Sequence, residues 1–156
     1  MVPTRSVDAF ISLADDLSDP EGSRCSSIGM VIGTAERGKT HTARRYADSH
    51  PDACYALYIE GSARVQLLRD AREALANVRP ITFGTCLSLI HETCKQRRRL
   101  IIIDEADKLP VSFPELLRGV NERCAMPILL AGEEGLKYKA DGVPRLRSRI
   151  RKPVVL

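Results

Sequence analysis

The sequence has no tryptophan, and only 4% of its residues are aromatic. That is too few for the stacked aromatic platforms that hold single-stranded nucleic acids. No apolar run approaches the roughly 20 residues of a membrane span, and no apolar segment follows Met1-Val2-Pro3-Thr4-Arg5. Neither membrane insertion nor a secretory signal is expected. Cysteine is scarce and unpatterned: Cys25, Cys54, Cys86, Cys94 and Cys124 are odd in number, with no C-x-x-C pair. This excludes a zinc ribbon or a disulfide framework and predicts buried, reduced thiols in a cytoplasmic protein. Internal repeats and low-complexity segments are also missing. The remainder is ordinary for one globular domain: 156 residues, 44% hydrophobic, 28% charged, net charge +4. The mild positive charge is compatible with a polyanionic partner without requiring one.

Apolar periodicity along the chain alternates between two kinds. Ser6 to Leu17 carries a helical stripe (Val7, Phe10, Ile11, Leu13, Ala14, Leu17), broken by Asp19-Pro20-Glu21-Gly22-Ser23. Ile28 to Ile32 reads as a short buried strand, Thr40 to Ser49 as a helix and Cys54 to Ile59 as a second strand. Helical patterns then cover Ala63 to Val78 and about Gly84 to Gln96. Leu100-Ile101-Ile102-Ile103 is the fully apolar run of a central parallel strand. A helix over Phe113 to Cys124, a strand over Pro127 to Ala131 and a last strand at Val154-Val155-Leu156 complete the pattern. Strands alternating with helices predict a three-layer αβα architecture around a parallel sheet, with the ligand site at the carboxyl ends of the strands.

That edge carries the sequence's main motif. Gly33-Thr34-Ala35-Glu36-Arg37-Gly38-Lys39-Thr40 matches G-x-x-x-x-G-K-[ST], a phosphate-binding P-loop, and it lies between a strand and a helix. Backbone N–H groups of Gly33 to Thr40 and His41 curl round phosphate oxygens, and the helix directs its positive end at them. Lys39 adds a point charge, and the Thr40 hydroxyl offers an oxygen to Mg²⁺. Glu36 places a carboxylate within this anion-receiving loop.

The second feature is Asp104-Glu105 at the tip of the apolar run. A carboxylate ending a buried strand needs a partner, because the interior disfavours isolated charge. Beside a P-loop, Asp104 is suited to hold Mg²⁺ and Glu105 to deprotonate a water attacking the γ-phosphate. Asp104-Glu105-Ala106-Asp107 also spells the DEAD box of RNA helicases. That reading fails on chain length and on the absence of those enzymes' Ser-Ala-Thr motif, just as the absence of Asn-Lys-x-Asp argues against a Ras-type GTPase.

P-loop, acidic strand tip, Leu130-Ala131-Gly132-Glu133-Glu134 and Arg145-Leu146-Arg147-Ser148-Arg149-Ile150, in this order, resemble the AAA+ ATPases. Within them the chain is similar to the Mu B-like target-selection ATPases of phages and transposons. This finer likeness extends to Val2-Pro3-Thr4-Arg5 and to Ala43-Arg44-Arg45-Tyr46-Ala47 after Gly-Lys-Thr. The resemblance implies a five-stranded parallel sheet of order 5-1-4-3-2, and one AAA+ core over residues 1–156 without the helical lid. It implies ATP and Mg²⁺ as ligands, Glu105 as catalytic base, and Glu133 at the sensor position that relatives fill with a neutral polar residue. Arg149 corresponds to the arginine finger that reaches a neighbouring subunit's γ-phosphate. Val2, Pro3 and Arg5 correspond to a segment that covers the adenine. A bacterial cytoplasmic protein encoded by a phage or mobile element is implied.

By the same resemblance, ATP-bound subunits assemble as homo-oligomers or filaments on duplex DNA with little sequence preference, and deliver target DNA to a transposase. Lys95-Arg97-Arg98-Arg99 and the region around Arg64 are cationic candidates for phosphate contact. The cluster at 95–99 equally suits a helix C-terminus, where cations are favourable. Three alternatives stay open: a helicase-loader-type ATPase, a P-loop kinase acting on a small acceptor, and a nucleotide-gated scaffold with little hydrolysis. Asp-Glu at the strand tip favours water over a kinase acceptor.

Overall fold

The structure is a computed structural model and describes residues 5–19, 28–34, 38–61, 66, 82–151 and 153–156. The helical pattern expected over 63–78 lies outside the described residues, apart from Gln66. Five strands form one parallel sheet: β1 (Ile28–Ile32), β2 (Ala53–Leu57), β3 (Leu100–Asp104), β4 (Ile128–Gly132) and β5 (Val154–Val155). Their order is β2-β3-β4-β1-β5, which is the expected 5-1-4-3-2 read from the other edge. Six helices accompany them among the described residues: α1 (Arg5–Ser18), α2 (Lys39–Ser49), α3 (Phe83–Gln96), α4 (Phe113–Cys124), α5 (Gly135–Asp141) and α6 (Pro144–Arg147).

The central strands β1, β3 and β4 are buried at every position, as their apolar runs require, with Asp104 the one charged residue among them. Alternation along them assigns each face its helices. Met30, Ile101, Ile103, Ile128 and Leu130 pack with Ile90 of α3, Phe113 and Leu117 of α4 and Leu136 of α5. Val31, Leu100, Ile102, Leu129 and Ala131 pack with Phe10, Leu13, Ala14 and Leu17 of α1 and with Ala43 and Tyr46 of α2. The α1 quartet is the i, i+3, i+4, i+7 stripe legible in its sequence. Each such large apolar side chain contributes about 1.5–3 kcal/mol on burial. Cys54, Cys86 and Cys124 lie in this core as free thiols, and Cys94 is half-buried. No described helix is long and apolar enough to cross a membrane.

Registry brings the chemistry to one edge. Ile32 pairs with Gly132, and Leu57 pairs with Asp104. The loop after β1, the carboxylate ending β3 and the turn after β4 therefore leave the sheet side by side. The link is direct at Gly33, whose N–H donates to the Gly132 carbonyl at 3.1 Å.

Candidate active site

The loop after β1 enters α2 through Gly38, at φ 73° and ψ 15°. This left-handed conformation costs a residue with a Cβ about 1–2 kcal/mol, which glycine avoids. Lys39 opens the helix and is 5% exposed. Its Nζ donates to the carbonyls of Gly33 and Thr34, both at 2.6 Å. Among the described residues these partners are dipoles rather than a carboxylate, an arrangement that suits an anion at the loop's mouth. Thr34 and His41 are exposed, and Ala35, Glu36 and Arg37 lie outside the described residues.

Asp104 is 1% exposed at the end of β3. Its Oδ2 accepts the Thr40 hydroxyl at 2.6 Å and the Tyr55 hydroxyl at 2.9 Å, and its Oδ1 accepts the Glu105 amide at 2.9 Å. The two oxygens expected to share Mg²⁺, on Thr40 and Asp104, are thus in contact across 64 positions of sequence. Two adjacent hard oxygen donors beside a buried lysine are the donor set that would suit a hard divalent cation such as Mg²⁺. Tyr55 was not expected from its sequence. It lies on β2, its phenol is pushed up to about 12 chiefly by burial, and Arg44 of α2 stands 5.2 Å over its ring. The available signal was its place two residues short of the end of a strand that pairs with β3.

Glu105 occupies the left-handed region, at φ 58° and ψ 31°, before a 3-10 turn (Ala106–Lys108). Its carboxylate pairs with Lys108 Nζ at 2.6 Å, and this pairing raises the Lys108 pKa. The turn is pinned from β4 and α5. Asp107 Oδ1 accepts the Glu133 N–H at 3.0 Å, and Lys139 Nζ donates to the Asp107 carbonyl and, at 2.8 Å, to that of Leu109. Glu133 itself is exposed, and its backbone is the part tied to the turn that follows Asp104.

Arg149 stands apart from this cluster and pairs with Glu122 of α4 at 2.7 Å. Glu122 also binds Arg118 at 2.6 Å, and Arg118 reaches Glu115 at 2.7 Å. The side chains of Arg149 and Glu122 are 39% and 34% exposed, so their pair is worth at most about 1 kcal/mol. The basic residues before β3 are engaged structurally at the opposite edge. Arg97 pairs with Asp52 at 2.7 Å, Arg98 donates to the Leu17 carbonyl and Arg99 to that of Pro51. Val2 and Pro3 lie outside the described residues, and Arg5 begins α1.

A parallel sheet with a lysine-bearing loop after its first strand and an acid at the tip of its third defines a P-loop nucleotide-binding core. Residues 24–138 match the AAA domain, and the chain belongs to that family of AAA+ ATPases. Among curated proteins it is similar to the Mu-like prophage FluMu DNA transposition protein B of Haemophilus influenzae. The identity is 27% over 117 residues, 74% of this chain and 41% of the relative. The chain therefore spans less than half the length of that protein. Among solved structures, it is similar to Cdc6p from Pyrobaculum aerophilum, with a TM-score of 0.68 and 13% identity, over 99% of this chain and 46% of that one. Drosophila ORC bound to DNA follows, with a TM-score of 0.59 and 10% identity, over 96% and 87%. At these identities the two structures establish the fold.

Proposed function

We propose that this chain is the ATP-hydrolysing core of a DNA-associated AAA+ protein of transposition, which assembles on duplex DNA and presents it to a transposase. The contact between Thr40 and Asp104 at 2.6 Å, next to buried Lys39, carries the nucleotide part of this reading. The similarity to a prophage transposition protein supports the rest.

In this reading, Gly33 to Thr40 and His41 cradle the phosphates, and the Lys39 ammonium turns from the Gly33 and Thr34 carbonyls to phosphate oxygens. Thr40 and Asp104 would hold Mg²⁺, which would supply neutralisation of phosphate charge. Glu105 leaves Lys108 and accepts a proton from the attacking water, for which an ionised carboxylate is suited. Glu133 orients the γ-phosphate side of the site. Arg149 leaves Glu122, at a cost of at most about 1 kcal/mol, and reaches a neighbouring subunit, where its planar donors suit phosphate.

The test is ATP hydrolysis by the wild type and by Glu105→Gln, each with and without duplex DNA. Stimulation by DNA that disappears in Glu105→Gln is the expected result. Phosphate transfer to a small molecule, indifferent to DNA, would sink the proposal. The pairing of Glu105 with Lys108 favours one second reading, a scaffold gated by nucleotide. Tight ATP binding with negligible turnover, unchanged by Glu105→Gln, would select it.

A further inference from the structure

Asp104 is held by a hydroxyl that belongs to no recognised motif. Tyr55 pairs in register with Ile102, so Tyr55, Ile102 and Asp104 share one face of the sheet. Asp104 lies at the diagonal position, within reach of a tyrosine but not of most side chains. The Tyr55 hydroxyl donates to Oδ2 at 2.9 Å, the oxygen that also takes Thr40. Arg44 lies one helical turn after Thr40 on α2, and its guanidinium carbon is 5.2 Å from the centre of the Tyr55 ring. The helix that carries the phosphate-binding lysine thus also carries the group covering the tyrosine.

We infer that Tyr55 is a positioning residue for the cation-binding carboxylate, and that Arg44 holds the tyrosine in place. The inference rests on the proposed role of Asp104. A hydroxyl that offers a lone pair to a cation keeps its proton, so Thr40 as a ligand would still donate to Oδ2, but its position would then follow the cation as well as the carboxylate. Tyr55 on Oδ2 and the Glu105 amide on Oδ1 are the described donors that set its rotation without being ligands themselves. Tyr55 also supplies no competing negative charge, since a phenol donates while remaining neutral. Partners behind a metal ligand fix its orientation, and their removal typically weakens metal affinity about 10–100-fold.

The experiment titrates a fluorescent ATP analogue onto the full chain at graded Mg²⁺ concentrations and in excess EDTA, for wild type, Tyr55→Phe, Arg44→Met and Asp104→Asn. In Tyr55→Phe, affinity in EDTA stays within about twofold of wild type. The Mg²⁺ concentration that half-maximally enhances binding rises at least about tenfold. Arg44→Met moves it in the same direction by a smaller factor. A purely structural tyrosine would lower the thermal midpoint of Tyr55→Phe without moving the Mg²⁺ dependence, and that result overturns the inference. If Asp104→Asn abolishes the Mg²⁺ effect while Tyr55→Phe leaves it intact, the role of Asp104 stands and that of Tyr55 falls. If Asp104→Asn leaves the effect intact, both fall.

Discussion

One methyl group added at Gly132 meets Asp107 on two sides. A Cβ there lies 2.6 Å from Asp107 Oδ1 and 2.9 Å from its backbone nitrogen. Neither contact can relax freely. The carboxylate is held by the Glu133 N–H, and the Asp107 and Leu109 carbonyls are gripped by Lys139. Overpacking costs about 1–3 kcal/mol, and loss of a hydrogen bond to a charged acceptor costs about 1.5–3 kcal/mol. The two overlap, because the same displacement causes both, so Gly132→Ala should lose about 3 kcal/mol. For a domain this size that lowers the thermal midpoint by roughly 6–12 °C. Urea denaturation followed by circular dichroism measures the free energy directly. Asp107 lies two residues after Glu105, so ATP turnover should fall while nucleotide binding in EDTA persists. Asp107→Ala in the Gly132→Ala background removes the oxygen but not the nitrogen, and should recover only part of the loss relative to Asp107→Ala alone. A Gly132→Ala protein within about 0.5 kcal/mol of wild type would refute the tight packing of β4 against the turn.

Arg149→Ala should bind ATP but hydrolyse it at least about a hundredfold more slowly, in line with the loss of transition-state charge stabilisation. Mixing in Lys39→Ala subunits, which keep Arg149, should restore part of the rate, and no rescue would argue against action between subunits. Ala125 ends α4 at φ 50°, so Ala125→Gly should stabilise the fold by about 1 kcal/mol, read as a higher urea midpoint; an unchanged midpoint would contradict this. Burial pushes the Cys54 thiol from 9.0 to about 12, and burial, with the Asp15 hydrogen bond, pushes the Tyr46 phenol from 10.0 to about 12. Both groups keep their protons in the folded state while the unfolded chain releases them. Their contribution is therefore complete below pH 9 and is lost as pH rises towards about 12. Stability should decline through that window, and Cys54→Ala should flatten its lower part; a flat urea midpoint across the window would refute the burial argument.

The sheet was legible because β1, β3 and β4 are short apolar runs that nothing but double-sided burial explains, each ending at a chemical signal. Helix α4 shows the same clarity: its expected limits, Phe113 to Cys124, are those observed. Helices α5 and α6 were not anticipated. With seven and four residues they hold too few turns for a periodic stripe, and they are fixed by Leu136, Ala140 and Leu146 entering the core. In the site, the contact between Thr40 and Asp104 follows from motif and topology together. The partners of Glu105, Asp107 and Arg149 do not, because Lys108, Lys139 and Glu122 are ordinary surface charges until the fold sets them opposite an ion or a carbonyl. The run Arg97-Arg98-Arg99 shows the converse. Its density on paper suggests a polyanion surface, and what the sequence does not show is that each guanidinium also has a bond within its own chain.

Glu105 lies in a backbone conformation that its side chain disfavours by about 1–2 kcal/mol. Glycine or asparagine would fit the turn with less strain, and either would leave the strand tip without the carboxylate proposed to take the water's proton. Selection for folding alone would carry position 105 toward those residues, whereas selection for turnover, in the role proposed for Glu105, would hold it at glutamate against the gradient of stability. Position 105 therefore separates the two pressures. A library screened for thermal resistance should be depleted of the residue that a library screened for ATP turnover retains.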